Sequence, residues 1–461
     1  MSSREIPAFL FAATGSGSGK TSITIGIIRA LRRKGYVVQP FKCGPDYLDP
    51  TYLELAAGRI CYNLDDWMMG DTYIRRLFSE KCENADIAVI EGAMGLFDGT
   101  AATGEAGTAA HIAKTLNVPI ILVLDIAGMG RTAAALVYGC VHFDSDIRIA
   151  GIIGNRAGSA AHIALIAESL ELAQLPPLLG AVGKSALPEL PSRHLGLTVA
   201  NDGGIDGDTL DTIADVCVES IDLKPILPHK TERTTQKIDA ANVLRTDFDV
   251  TVAVASDSAF CFVYPDNLSA LKAAGAKIVT FSPVSDHRLP RADAVYFPGG
   301  YPELQAEALS RNQSLLQEVR TFHDAGGVLY AECGGLMYLA QELVDADGRG
   351  WPMCGVLPFS TRLRRRRKAL RYSEVVLEKE TPLGPRGRVF RGHQFHYSEI
   401  FQNRFEEQGW SMAYAVRHPR TGIIYPEGYM KKRTLASYVH LHWASCNGAA
   451  HHFVQFCRRT V

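Results

Sequence analysis

Cys333 stands in YAECGGLMYL (residues 330–339), between Glu332 and the pair Gly334-Gly335 and directly after the apolar run Val328-Leu329-Tyr330. A thiol that ends a strand and precedes a helix is the pattern of a nucleophile elbow. The sharp turn there exposes the side chain and aims backbone N–H groups at a developing oxyanion. An ordinary thiol, with a pKa near ~8.5, is mostly protonated at neutral pH, so it needs a base to take the proton and later return it. Four downstream histidines qualify: His393 and His396 in RGHQFHYSE, and His440 and His442 in SYVHLHW. A free cysteine more often serves as a small buried hydrophobe, but the flanking glutamate and glycines argue against that use here.

A second chemical signature lies near the other end of the chain. ATGSGSGKTS (13–22) follows an apolar run and opens an amphipathic one, the setting a phosphate-binding loop requires. Gly15, Gly17 and Gly19 let the backbone approach phosphates closely, and the helix N-terminus adds its N–H groups. Lys20 reaches the terminal phosphates and the Thr21 hydroxyl faces Mg²⁺. The strict pattern wants glycine where Thr14 stands, and the place of a second lysine in partition-type ATPases is Gly15 or its neighbours, none of them basic, which lowers a switch-ATPase reading. Three carboxylates keep this loop company: Asp46 and Asp49 in FKCGPDYLDP (41–50), and Glu91 in EGAMGLFDG (91–99). At the C-terminal ends of strands they suit Mg²⁺, which takes hard oxygen ligands. Each alone reads as a solvated loop acid; the three together do not.

The elements that must position these residues follow from hydrophobic patterning. AFLFAA (8–13), DIAVIE (86–91), PIILVLD (119–125) and IAGIIGN (149–155) read as buried strands, with helices over 19–35 and 107–117 between them. That alternation predicts a doubly wound parallel sheet, an α/β fold. A polar, Thr-rich stretch without period, 227–249, marks a linker. A second series of strands then begins: 250–256, 277–282, 294–300 and 327–332, followed by a helix over 334–343. The expected organisation is a P-loop domain at 1–226, a linker at 227–249 and a second α/β domain at 250–461.

At 461 residues the chain is long enough for two cores, and its net charge of −1 gives no general attraction to nucleic acid or membranes. Ten cysteines without C-x-x-C spacing favour reduced thiols in a cytoplasmic setting over disulfides or a zinc ribbon. No apolar run reaches membrane-spanning length, since VPIILVL (118–124) stops at Asp125. The run RLRRRRKALRY (362–372) reads first as a solvated face, with a polycarboxylate clamp as its functional alternative.

Taken together and in this order, GSGKT, FKCGPDYLDP, EGAMGLFDG, PGGYPE (298–303), YAECGGLMYL, RGHQFHYSE and SYVHLHW resemble the cobyrinic acid a,c-diamide synthase family, ATP-dependent and glutamine-using amidoligases of corrinoid synthesis. The N-terminal half also resembles dethiobiotin synthetase, and the C-terminal half the flavodoxin-like class I glutamine amidotransferases. The resemblance implies cobyrinic acid, L-glutamine and ATP as substrates, with Mg²⁺ as cofactor. Hydrogenobyrinic acid and nickel sirohydrochlorin are alternative substrates within that reaction. A regulatory ATPase carrying a degenerate amidotransferase module is the reading from another class. By resemblance Cys333 is the glutaminase nucleophile and His440 its base, while Gly300 and Gly334 supply the oxyanion hole. Thr21, Asp46 and Glu91 match Mg²⁺–ATP positions, and the Tyr47-Leu48-Asp49 loop lies beside the corrinoid. Class I amidotransferases usually carry an acid two residues after the catalytic histidine. Here that place is His442, so the group orienting His440 stays unassigned. A homodimer is the expected assembly.

Overall fold

The apolar runs become interior strands of two separate sheets. In the computed structural model, which describes residues 6–190, 192–193, 196–197, 205–227, 250–364 and 369–459, the chain divides into two units, Met1–Thr235 and Gln236–Val461.

The first unit holds β1 (Ala8–Ala13), β2 (Val38–Cys43), β3 (Tyr62–Leu64), β4 (Ile87–Glu91), β5 (Ile120–Asp125), β6 (Ile149–Ala157) and β7 (Leu178–Gly183). They form one sheet in the order β3-β2-β4-β1-β5-β6-β7, with every pairing parallel. Helix α1 (Lys20–Arg33) follows β1, and α2 (Asp49–Ala57) follows β2. Because β2, β4 and β1 are adjacent, their C-terminal ends converge, and Lys42 pairs in register with Glu91, which in turn pairs with Phe11. Buried Ile23, Ile25, Ile27 and Ile28 of α1 close the core over this sheet together with Leu210 and Ile213 of helix Gly207–Ser220. A two-residue hairpin, β8 (Ser192–Arg193) and β9 (Gly196–Leu197), lies apart from the sheet.

The second unit contains β10 (Val250–Ala255), β11 (Ala276–Phe281), β12 (Ala294–Phe297), β13 (Val328–Glu332), β14 (Glu342–Val344), β15 (Gly350–Pro352), β16 (Ser360–Leu363), β17 (Ala369–Leu377), β18 (Val389–His396), β19 (Ser398–Phe401), β20 (Ser411–Arg417), β21 (Ile424–Lys431), β22 (Thr434–Ser437) and β23 (His440–His442). Ten of them form a sheet ordered β11-β10-β12-β13-β22-β21-β20-β17-β18-β23. The pairings from β11 to β22 are parallel, as the patterning implies. Those from β22 to β23 are antiparallel. Only two residues separate β22 from β23, yet four strands lie between them in the sheet. The sheet must therefore curl until its last strand returns beside its middle. That curl, which alternation alone does not reveal, brings RGHQFHYSE and SYVHLHW to the elbow. Strands β14, β15, β16 and β19 make a smaller sheet. The helix expected over 334–343 ends at Leu339, because Glu342–Val344 is recruited into that sheet.

Candidate active sites

In the first unit the loop between β1 and α1 is built for anions. Gly17 and Gly19 adopt positive φ (79° and 86°), and Ser18 Oγ donates to the Gly15 carbonyl at 2.9 Å. A Cβ on Gly19 would lie 2.0 Å from the Asn155 amide nitrogen, so only glycine fits. No side chain caps α1, leaving the first-turn N–H groups for a ligand. Asn155 donates to the Ser18 carbonyl at 2.9 Å. Arg156 donates to the Gly17 carbonyl at 3.0 Å and also pairs with Asp125. These residues, from the ends of β5 and β6, brace the loop and carry no sequence signature of their own.

The carboxylates gather as expected, with one addition. Thr21 Oγ1 donates to Glu91 Oε1 at 2.6 Å and lies 3.4 Å from Asp49 Oδ2. Lys42, 2 % exposed, donates to Asp49 at 2.5 Å and to Glu91 at 3.0 Å, and sits 3.8 Å from Asp46. Lys20 Nζ is 4.0 Å from Glu91. Lys42 carries no sequence signature of its own, because it meets Glu91 only through the pairing of β2 with β4. Burial works against its ammonium, but Asp49, Glu91 and Asp46 outweigh burial and hold its pKa well above the ordinary lysine range. Burial and the neighbouring Asp49 push Asp46 up to about 7. Asp49 stays below the usual carboxylate range despite burial, because Lys42 stabilises its charge. Asp49 thus belongs to the same cluster as Thr21 and Glu91, while Asp46 Oδ1 accepts the N–H groups of Leu48 and Asp49 at 2.8 and 3.1 Å and shapes the loop.

The donor set suits Mg²⁺. It is all hard oxygen, and Glu91 Oε2 is buried with no hydrogen-bond partner. Among the described residues no group of three or more His, Cys, Asp or Glu side chains is arranged to hold a metal ion by itself.

In the second unit Cys333 terminates β13 at φ 46°, ψ −98°, a strained conformation for a residue with a Cβ. Its thiol is 4 % exposed and donates to the Phe395 carbonyl at 3.7 Å. Burial and the Glu303 carboxylate push its pKa up. His440 begins β23 directly opposite His393 of β18, and their rings stack at 5.0 Å between centroids with planes 13° apart. The loop 298–300 closes on the other side, where a Cβ on Gly299 would lie 2.2 Å from His440 Cε1. A Cβ on Gly334 would come within 3.0 Å of Gly300 N, so the two expected oxyanion donors are neighbours. Burial, then His393 and His396, holds the His440 pKa well below the ordinary value.

The remaining histidines separate by environment. His393 Nδ1 lies 3.1 Å from the Tyr264 hydroxyl. His396 stacks on Tyr438 and approaches the Ser398 carbonyl at 2.8 Å. His442 faces Asp266 at 3.7 Å and Tyr264. Of the basic run, Arg362 and Arg364 share Glu399 at 2.6 and 3.1 Å, and Arg371 binds Gln394 and Tyr425 at 2.8 and 2.9 Å. Residues 365–368 lie outside the described residues. No helix among the described residues is long and apolar enough to cross a membrane.

Comparison with known proteins joins the two sites in one family. Residues 9–197 match the CobQ/CobB/MinD/ParA nucleotide binding domain. Residues 251–448 match the CobB/CobQ-like glutamine amidotransferase domain. A protein of Syntrophotalea carbinolica named cobyrinate a,c-diamide synthase is 46 % identical over 454 residues, covering 98 % of this chain and 99 % of that one. Proteins of the same name from Leptospira interrogans and Salmonella typhimurium are 42 % and 36 % identical, covering 99 % and 98 % of this chain and 99 % of each relative.

Proposed function

Because the chain belongs to the cobyrinate a,c-diamide synthase family, we propose that it amidates the a and c carboxylates of cobyrinic acid, using ATP and ammonia drawn from glutamine in cobalamin biosynthesis. It is an ATP-dependent, glutamine-using amidoligase. The observation that carries the reading is the strained Cys333 elbow, with Gly334 against Gly300 and His440 against Gly299, in a chain that also holds an intact phosphate loop. A degenerate amidotransferase module would not keep that arrangement.

In the second unit, His440 takes the Cys333 thiol proton and the thiolate attacks the glutamine carboxamide carbon. The N–H groups of Gly300 and Gly334 receive the charge that forms on oxygen. His440 returns the proton to the departing nitrogen, ammonia leaves, and water then hydrolyses the thioester to glutamate. In the first unit a corrinoid carboxylate oxygen attacks the terminal phosphorus of ATP and displaces ADP. Ammonia attacks the resulting acyl phosphate and inorganic phosphate departs, leaving the amide. A free carboxylate is too poor an electrophile for amide formation without this activation. Gly15, Gly17 and Gly19 cradle the phosphates, and Lys20 meets the transferred phosphoryl group. Thr21, Asp46 and Glu91, with Asp49 alongside, would hold Mg²⁺, which would supply charge neutralisation at the phosphate oxygens. The Tyr47-Leu48-Asp49 loop faces the corrinoid.

The relatives' name favours cobyrinic acid over hydrogenobyrinic acid or nickel sirohydrochlorin. Incubating the enzyme with each of the three, plus ATP, Mg²⁺ and glutamine, and weighing the products decides among them. A mass change of two amidations on cobyrinic acid is expected, and amidation of another tetrapyrrole alone would overturn the assignment. A cytoplasmic homodimer without nucleic-acid or membrane partners completes the proposal. The near-neutral charge supports the partner reading, and light scattering measures the assembly.

A further inference from the structure

The ladder between the nucleophile's strand and the base's strand is interrupted where it matters. Strand β13 pairs with β22 up to Glu332–Ser437, and the last main-chain bond runs from Cys333 N to Ser437 O at 2.7 Å. Beyond Ser437 the chain leaves this ladder, and His440 and Leu441 pair with β18. The Glu332 carboxylate fills the gap. Its Oε1 accepts the Leu441 N–H at 3.0 Å and the Tyr330 hydroxyl at 2.5 Å, and its Oε2 accepts the Tyr296 hydroxyl at 2.7 Å. Glu332 immediately precedes Cys333, and Leu441 immediately follows His440, so one side chain links the peptides next to both reacting groups. Asn267 clamps the same edge of that strand, donating to Leu441 O and accepting from Trp443 N at 2.8 and 2.9 Å.

We propose that Glu332 is a positioning residue of the glutaminase, whose carboxylate ties the nucleophile's strand to the base's strand and holds Cys333 and His440 in mutual register. Resting on the reading of Cys333 and His440 as glutaminase residues, the inference answers what fixes His440 when the position two residues beyond it is a histidine. A carboxylate 1 % exposed is costly to bury, and apolar packing would stabilise the same space more cheaply. Its position between the two reacting residues gives that burial a purpose, because a displacement of about 1 Å in such a pair costs on the order of 100-fold in rate.

The test compares Glu332→Leu, which keeps volume but offers no acceptor, with Glu332→Gln, which keeps an acceptor for Leu441 N–H. Glutamine hydrolysis and ammonia-driven diamide synthesis are measured on the full-length enzyme. Expected for Glu332→Leu is a fall of about 100-fold in glutaminase kcat, with KM for glutamine within a factor of ~3 and ammonia-driven synthesis within a factor of ~2. Glu332→Gln should restore kcat to within about 5-fold of wild type. Should Glu332→Leu fail to fold, the Tyr296→Phe, Tyr330→Phe double variant frees the carboxylate from two of its donors, and a fall of at least about 10-fold in glutaminase kcat is expected. The proposal is overturned by a wild-type kcat in Glu332→Leu or in the double variant. A loss confined to KM, an equal loss of both activities in a folded variant, or a Gln variant as poor as Leu also overturns it. Glutamine hydrolysis that survives Cys333→Ala would instead overturn the glutaminase reading itself, and this inference with it.

Discussion

Lys42 offers the sharpest test of how the first unit's site is held together. Replacing it with methionine keeps the length of the side chain and removes the ammonium that lies 2.5 Å from Asp49 and 3.0 Å from Glu91. At 3.0 Å and an effective dielectric of ~20, one such pair is worth roughly 5.5 kcal/mol before desolvation is counted. Desolvating the ammonium offsets most of that, and removing one partner of a buried pair costs about 3–5 kcal/mol because the other charge is stranded. For a unit of this size, about 2–4 °C per kcal/mol gives a melting temperature lower by roughly 6–20 °C.

A divalent cation should relieve the damage. With the ammonium gone, Asp49 and Glu91 face each other across a space that an oxygen-seeking ion can fill. An ion bound with a dissociation constant of ~1 mM would return about 1.4 kcal/mol at 10 mM. Differential scanning calorimetry of wild type and Lys42→Met, each with and without 10 mM MgCl₂, reads both effects. Wild type should shift less with Mg²⁺, since its carboxylates already have a cation. A Lys42→Met protein that melts with wild type, or that ignores Mg²⁺, would refute the electrostatic account of this cluster.

Other predictions follow from the same geometry. Lys20→Ala should abolish amidation while glutamine still acylates Cys333, which mass spectrometry of the intact protein detects; product at near-normal rates would remove the phosphate loop from the mechanism. His440→Ala should lose glutaminase activity by a factor of about 10²–10⁴, whereas His442→Ala should retain most of it, and the reverse order in steady-state assays would shift the base by two residues. Cys333→Ala should lose glutamine-dependent synthesis yet recover it with concentrated ammonium salt near pH 8.5, in a reaction still needing ATP. Burial pushes the Glu427 carboxyl up to about 7, against hydrogen bonds from Ser437 and Tyr438. A folded pKa above the unfolded value means stability is full below about 4.3 and lost as pH rises towards 7. Glu427→Gln should therefore flatten the fall in stability between pH 5 and 7, read from urea midpoints, and an unchanged slope would exclude Glu427 as its source.

The parallel strands read from the sequence were legible because an apolar run ends at a change of pattern, as at Glu91 before Gly92 and Cys333 before Gly334-Gly335, whereas β3 and β7 were not read. The same punctuation placed Lys20, Thr21, Glu91 and Cys333 correctly at strand ends and helix starts. What escaped notice depends on which strands become neighbours. Lys42 and Glu91 are 49 residues apart and meet only because β2 pairs with β4. Asn155 and Arg156 brace the phosphate loop from β6, across a chain separation of 137 residues or more. The pairing of His393 with His440 needs the sheet to curl, and the antiparallel strands that curl it are too mixed in polarity to read as one surface. Glu332 looked like a flank of the nucleophile, because its partners Tyr296 and Leu441 are distant in sequence.

The two sites solve opposite electrostatic problems. In the first unit Lys20, Lys42, Asp46, Asp49 and Glu91 are gathered within a few ångströms, so buried charges compensate one another before any ligand arrives. Such a site is ready for a polyphosphate and a cation, because neither brings in charge that lacks a counterpart. In the second unit burial raises the Cys333 thiol and lowers His440. On the proposed roles the resting pair is neutral, and forming a thiolate–imidazolium pair in that buried setting costs free energy that the transition state must recover. The N–H groups of Gly300 and Gly334, in their proposed role, supply that recovery as the substrate oxygen becomes negative. A neutral resting pair also guards the thiol from electrophiles other than glutamine, since the thiol itself is a poor nucleophile. Iodoacetamide should accordingly label Cys333 no faster than an ordinary exposed thiol in the free enzyme. Rapid labelling at pH 7, followed by peptide mass spectrometry, would mean that the thiolate already exists at rest and that burial does not govern this site.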